Sequence, residues 1–289
     1  MSYSRAAVDV ARVIIAEVDP LLPRTHGPPR LSVDRIAPNI ASERPTPRYR
    51  SPPVTDTARR IGELLVDVLP DRATLQFGVG QVPEAVLDTL LRNRVGAFRL
   101  IGLATDRVVD LAEADMLAPG GAAPSVAAVE LMGTERLMRF ADDNPTIGVY
   151  PSTQGHRPAW LASHFDRIVA INSAVEVDLL GQVNAEMVDG VPIAGIGGSA
   201  DFIDAARASP DGLSVIALPA TARGGTVSRI VAHLPRGVAT TIPRHAYDLV
   251  VTEHGIADLR GRTDHERARA LVAIAAPSHR GGLEQGIAT

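Results

Sequence analysis

Apolar positions recur along this chain at two periods, and the longer one is clearest in TDTARRIGELLVDVL (55–69). There Ile61, Leu64, Leu65 and Val68 fall on one helical face, with Thr55 or Asp56 placed to cap it. Beyond this helix, short apolar runs of strand length alternate with helix-length segments. Strands are predicted at Thr74–Phe77, Phe98–Ile101, Ser125–Val129, Ile147–Val149, Ile168–Ile171, Val215–Leu218 and Leu249–Val251. Helices are predicted between them at Pro83–Arg92, Thr134–Asp142, Ala200–Ala208 and Asp264–Ala275. Alternation of strand and helix predicts an α/β fold, a mainly parallel sheet with helices on both faces.

The first fifty residues follow another pattern. Residues 6–18 (AAVDVARVIIAEV) end in a β-branched run and read as a helix leading into a strand. The segment DPLLPRTHGPP (19–29) is a loop that Pro and Gly keep irregular. Residues 37–53 (APNIASERPTPRYRSPP) hold five prolines and no periodicity. They read as a linker or a strap over another surface rather than a core element.

Composition narrows the chemistry. Of 289 residues, 45% are hydrophobic but only 3% aromatic, so the core must be built from Val, Ile, Leu and Ala, which suits a buried parallel sheet. No apolar run approaches the roughly 18 residues of a membrane span. Met1 to Arg12 lack the layout of a signal peptide, so cytoplasm is the default. There is no Cys, which excludes thiolate nucleophiles, disulfides and Cys-ligated metals. All 29 basic residues are Arg, so Schiff-base chemistry and a phosphate-binding lysine are excluded too. A covalent nucleophile must be Ser, Thr, Asp, Glu, His or Tyr. The net charge of −4 and the lack of a basic stripe argue against nucleic acid as a partner.

Four stretches carry candidate chemistry. LQFGVGQVP (75–83) is a strand, a Gly turn and a helix start, where Gly78, Val79 and Gly80 can present backbone N–H groups to an anion or a carbonyl oxygen. It is also readable as a tight strand–helix turn. GIGGSADF (195–202) is a second such turn, with Gly195, Gly197 and Gly198 leading into a helix. In AINSAVEVDL (170–179), Glu176 and Asp178 stand two apart on an expected strand and so share a face. They are candidate catalytic carboxylates, or a solvated edge, or groups serving a structural hydrogen bond to the neighbouring Gly turn. VVTEHGIADLRG (250–261) sets Glu253, His254, Asp258 and Arg260 close together at a strand end, an acid–base pair or a phosphate site. None of the eight His residues has zinc-motif spacing, so no metal is expected.

Taken in order, TLQFGVGQVPEAVL, VVDLAEADML, IVAINSAVEVDLLGQVNAE, GIGGSADF, LPATARGGTVSRIV and VVTEHGIADLRGRTDHERARALVAIA resemble the C-terminal half of acetyl-CoA hydrolases and of 4-hydroxybutyrate or acetate CoA-transferases. AEVDPLLPRTHG resembles the segment joining that family's two halves. The resemblance implies a class I CoA-transferase fold of two Rossmann-like halves with the active site between them. Residues 1–54 would then be a remnant of the N-terminal half plus the proline strap, and residues 55–289 the C-terminal domain. In the family a Glu attacks the acyl-CoA carbonyl and becomes a glutamyl-CoA thioester, with the oxyanion held by N–H groups of the two Gly turns. Those donors fall here at Val79 and near Gly197.

Two departures stand against the family pattern. Where the family has the nucleophile, in a stretch resembling His-Ser-Glu-Met, this chain reads Leu100-Ile101-Gly102-Leu103, so Gly102 holds its position. An Asn of the family in an Asn-Asp-Pro context appears here as His156 in His-Arg-Pro. The second departure is the missing N-terminal half, which leads to the expectation of a separate subunit supplying it in a hetero-oligomer, with a homo-oligomer as the alternative. The expected function is an acyl-CoA-binding subunit of a CoA-transferase/hydrolase-type enzyme, hydrolysis being favoured over transfer. His156, Asp106, Glu176 and Glu253 are its candidate bases, and no cofactor beyond coenzyme A as substrate or ligand is implied. A non-catalytic CoA-binding or scaffold subunit is the other reading.

Overall fold

In the computed structural model, which describes residues 3–28, 31–44, 46–94 and 96–285, the apolar runs pair into one eight-stranded sheet. Its strands are β1 (Thr74–Phe77), β2 (Arg99–Ala104), β3 (Val126–Leu131), β4 (Ile147–Val149), β5 (Ile168–Asn172), β6 (Leu213–Ala217), β7 (Leu249–Thr252) and β8 (Gly255–Asp258). They lie in the order β8-β7-β6-β5-β1-β2-β3-β4. All neighbours are parallel except β7 and β8, which form an antiparallel hairpin with Thr252 opposite Gly255. Sequence patterning misses β8, because Gly255 and Asp258 at its ends read as turn residues.

Helices cover both faces. On one side lie α1 (Asp56–Val66), α2 (Gln81–Asn93), α3 (Arg107–Glu113) and α4 (Glu135–Ala141), packed on Leu75, Leu100, Val126 and Val169. On the other lie α5 (Pro158–His164), α6 (Ser199–Ala208) and α7 (Asp264–Ile274), packed on Ile101, Ala127, Ile168, Ala170, Ile216 and Val250. Successive strand residues therefore feed opposite cores, which is why these strands read as unbroken apolar runs. Thr55 caps α1 by accepting the Ala58 N–H at 3.3 Å. The helix buries Ala58, Ile61, Gly62 and Leu65, and it stops at Val66, so Val68 lies beyond the face predicted for it.

The N-terminal segment departs from its expected form in one respect. A helix spans Ser4–Val10 and a strand Ala16–Val18, as the pattern predicts. The proline strap, however, contributes a strand of its own, Asn39–Ala41, which pairs in parallel with Ala16–Val18. Three residues suffice for this, since Pro38 precedes the paired stretch without having to donate within it. Pro29 of the loop and Pro45 of the strap lie outside the described residues. Farther on, the strap lies on the domain that follows it. Tyr49 N–H donates to Gly133 O at 3.2 Å, and Ser51 Oγ donates to the buried Glu84 at 2.7 Å.

Asp106 joins two helices on the first face. Its carboxylate accepts from Thr134 N at 3.0 Å, Thr134 Oγ1 at 3.0 Å and Leu137 N at 3.1 Å, so it caps the start of α4 from the neighbouring helix. These orphan N–H groups have no intrahelical acceptor, and losing a carboxylate cap of this kind costs about 1–3 kcal/mol. Asp106→Ala is therefore expected to lower the urea-unfolding free energy by about that amount with an unchanged m-value. An unaltered midpoint would show that Asp106 is not a structural cap.

Candidate functional site

The chain runs outward from β1 through β2 and β3 to β4, then returns to place β5 on the other side of β1. The connections on the two sides cover opposite faces, so a crevice opens beyond the carboxyl ends of β1 and β5, where α/β sheets commonly bind ligands. Here it is a cleft of ≈ 430 Å³. Its floor is bridged by the Asn172 side-chain amide, which donates to Gln76 Oε1 at 3.0 Å across the two strands.

Three of the four candidate stretches meet in this cleft, the third through Asn172 alone. Gly78 follows β1, and Gly197 and Gly198 precede α6, and all three line it. Among the described residues, neither the Val79 N–H nor the Gly197 N–H has a hydrogen-bond acceptor. Val79 is 38% exposed beside the cleft, Gly80 forms the N-cap position of α2, and Gly195 lies exposed farther along its loop.

His156 also lines the cleft, with its Nδ1 3.3 Å from Asp201 and its ring edge-on to Phe202 at 4.9 Å between centroids. Gly198 is what lets it sit there. A Cβ on Gly198 would come within 2.4 Å of His156 Cε1, so no larger residue fits while the ring keeps its place. Gly102, on the wall formed by β2, has φ +94°, a backbone conformation that favours glycine. A Cβ there would meet Gln76 Cγ and Phe77 O at 3.3 Å and Phe202 Cζ at 3.5 Å. A side chain at position 102 is thus opposed first by backbone strain and only second by crowding.

The other carboxylates of the sequence analysis stand elsewhere. Asp106 is the α4 cap. Glu176 accepts from the Asn184 amide at 2.9 Å and borders a separate recess of ≈ 480 Å³ together with Arg223, Arg229 and Arg236. Asp178, buried, accepts the N–H groups of Leu180 and Gln182 at 3.0 and 2.8 Å and closes a turn. Glu253 sits in the β7–β8 turn and accepts the Ala220 N–H at 2.8 Å. Its charge supports the Arg229 guanidinium, which burial holds below its ordinary pKa.

Two polar lining residues, Glu130 and Ser152, fall in none of the four stretches, and Gln76, Asn172, Ser199 and Phe202 lie inside them without being singled out by the sequence. Ser199 Oγ is a buried hydroxyl with no partner among the described residues. No group of three or more His, Asp or Glu that would hold a metal ion occurs among the described residues, and no helix there is long and apolar enough to cross a membrane.

Comparison with known proteins points one way. Residues 133–287 match the acetyl-CoA hydrolase/transferase C-terminal domain family. The chain is 37% identical over 288 residues to a 4-hydroxybutyrate coenzyme A transferase of Clostridium kluyveri, covering 97% of this chain and 66% of that protein. It is 32% identical over 293 residues to a succinyl-CoA:cyclohexane-1-carboxylate CoA transferase of Geobacter metallireducens, covering 99% of this chain and 65% of that one. The crystal structure of a 4-hydroxybutyrate CoA-transferase from Porphyromonas gingivalis superposes with a TM-score of 0.84 at 32% identity, over 99% of this chain and 69% of the other. The chain thus spans slightly less than two thirds of the length of the two sequence relatives.

The Gly198–His156 contact can be checked through its coupling. Gly198→Ala should destabilise the protein by about 1–3 kcal/mol, the usual cost of overpacking. Adding His156→Ala should return most of that loss, giving a coupling of at least about 1 kcal/mol in a double-mutant cycle. Strictly additive effects would contradict the close approach.

Proposed function

The chain belongs to the acetyl-CoA hydrolase/transferase family, and on that premise we propose that it forms the acyl-CoA-binding part of an enzyme acting on a CoA thioester. The observation that carries this reading is the pair of glycine turns at one cleft, with the Val79 and Gly197 N–H groups left without acceptors. A thioester carbonyl lodged there would accept from both. Such donors gain most as the oxygen becomes an oxyanion, so they favour the tetrahedral intermediate over the bound substrate. His156, steadied by Asp201 and Phe202, supplies a titratable group on the cleft wall.

Under this reading Gly102 holds the place of the family's nucleophilic glutamate. With no side chain there, an acyl-enzyme through that position is not available. Water is then the simplest acceptor for the acyl group, and hydrolysis is favoured over transfer to a second carboxylate. The positive φ of Gly102 gives a reason why a side chain is not readily restored there.

A complementing half is part of the proposal. The N-terminal segment exposes Val10, Val13, Ile15, Val18, Leu21 and Ile40, an apolar surface that needs a cover. Among the described residues the Ala16–Val18/Asn39–Ala41 pair stands as a two-stranded sheet with free edges. A subunit resembling the N-terminal half of the CoA-transferases would extend that sheet, bury the apolar side chains and close the open side of the cleft.

Two measurements test this. Calorimetry should detect binding of CoA and of acetyl-CoA, and Ellman's reagent should report release of the CoA thiol, without background from this Cys-free chain. Hydroxylamine quenching followed by peptide mass mapping should find no modified Glu. Absence of CoA binding, with or without a complementing half, would overturn the proposal. On co-expression with a polypeptide that matches the N-terminal third of the CoA-transferases, light scattering should give a hetero-oligomer. A stable, active monomer with Val10 to Ile40 uncovered would rule the subunit arrangement out.

A further inference from the structure

One carboxylate in the cleft has no structural task. Glu130 lines it at the end of β3, and among the described residues its side chain has neither a hydrogen-bond nor an ion-pair partner. The acids of the conspicuous motifs are all engaged: Asp106 caps a helix, Asp178 closes a turn, and Glu176 and Glu253 accept amide N–H groups. No Arg lines the cleft among the described residues, and His156 is directed to Asp201. Holding a half-buried carboxylate with no partner is unfavourable, and folding alone gives no reason to keep one there.

Its placement comes from a break in the β2–β3 register. Gly102 pairs with Ala128, but the next residue, Leu103, pairs with Glu130, so Val129 is an extra residue in β3. In a regular strand Val129 and Glu130 would point to opposite faces. The bulge lets both line the same cleft, a known use of bulges beside active sites. Glu130 consequently stands one strand over from Gly102, at the same end of the sheet as the Val79 and Gly197 turns. A carboxylate one strand spacing away from position 102 leaves room for a water molecule between itself and the carbonyl that the two N–H groups would hold.

We infer that Glu130 is the general base of a thioester hydrolysis carried out in this cleft, an inference that rests on the CoA-thioester reading above. The water oxygen bonds to the thioester carbonyl carbon as Glu130 takes one of its protons. The carbonyl oxygen becomes an oxyanion on the Val79 and Gly197 N–H groups. Collapse of the tetrahedral intermediate breaks the C–S bond, and Glu130 returns its proton to the departing sulfur. The products are the free carboxylic acid and CoA.

The test uses the full chain, in complex with its complementing half where it assembles with one, and acetyl-CoA and butyryl-CoA as substrates. Glu130→Gln keeps the shape and removes the base. It should lower kcat by about 10²–10⁴-fold, while the Kd for CoA by calorimetry stays within about twofold. Glu130→Asp, with a shorter reach, should fall between the two. Wild-type turnover by Glu130→Gln overturns the inference and leaves the CoA-thioester reading standing. A wild-type protein that binds CoA but releases none overturns it as well. Failure of the wild type to bind CoA defeats the CoA-thioester reading and this inference together. A hydroxamate mapped to Glu130 after hydroxylamine quenching would make it a nucleophile and exclude the general-base role. Should Glu130→Gln unfold, Glu130→Asp with retained CoA affinity and wild-type kcat has the same overturning force.

Discussion

The site depends on one topological constraint, the reversal of strand order between β1 and β5. Once the chain has built β2, β3 and β4 on one side of β1, right-handed crossovers require the remaining strands to be wound on the other side, with their helices on the opposite face. The two sets of connections diverge where they leave the sheet. That divergence opens the cleft, and the Gln76–Asn172 hydrogen bond spans it at the floor. Two glycine turns far apart in sequence are brought to one cleft by this reversal and by nothing local to either turn.

Backbone and side chains divide the work around that cleft. Glycine lets the chain come close: Gly198 admits the His156 ring, and Gly102 holds a conformation that few other residues adopt. Asp106, Glu176, Asp178 and Glu253, outside the cleft, accept hydrogen bonds from N–H donors of helix starts, turns and neighbouring side chains. Glu130 differs because a bulge turns it toward solvent-filled space and no donor follows it there.

Apolar periodicity alone determined much of the architecture. Strands β1 to β7 and helices α1, α2, α4, α6 and α7 follow from runs of β-branched and aliphatic residues and from caps such as Thr55, since burial on both faces leaves an unbroken apolar signature. The glycine turns at 78–80 and 197–198 were legible for a similar reason: glycine next to a strand end marks a backbone that must turn sharply. The hairpin strand β8 was not legible, nor the short strand at 39–41, because a few residues bounded by Gly, Asp or Pro have no period to detect.

Tertiary structure alone decided which side chains share the cleft. Glu253 looks reactive in sequence, but its donor, Ala220, comes from another segment whose approach no spacing rule reveals, whereas Asp178 and Glu176 are satisfied nearby, by Gln182 in the same turn and by Asn184 across a short antiparallel pairing. Glu130 carries no motif, lies in the ordinary-looking run VAAVEL, and gains its position from a register shift between two strands. A sequence records what each residue prefers along the chain. Whether a carboxylate is neutralised, capped or left facing open space depends on contacts across the sheet, and those exist only once the strands have found their order.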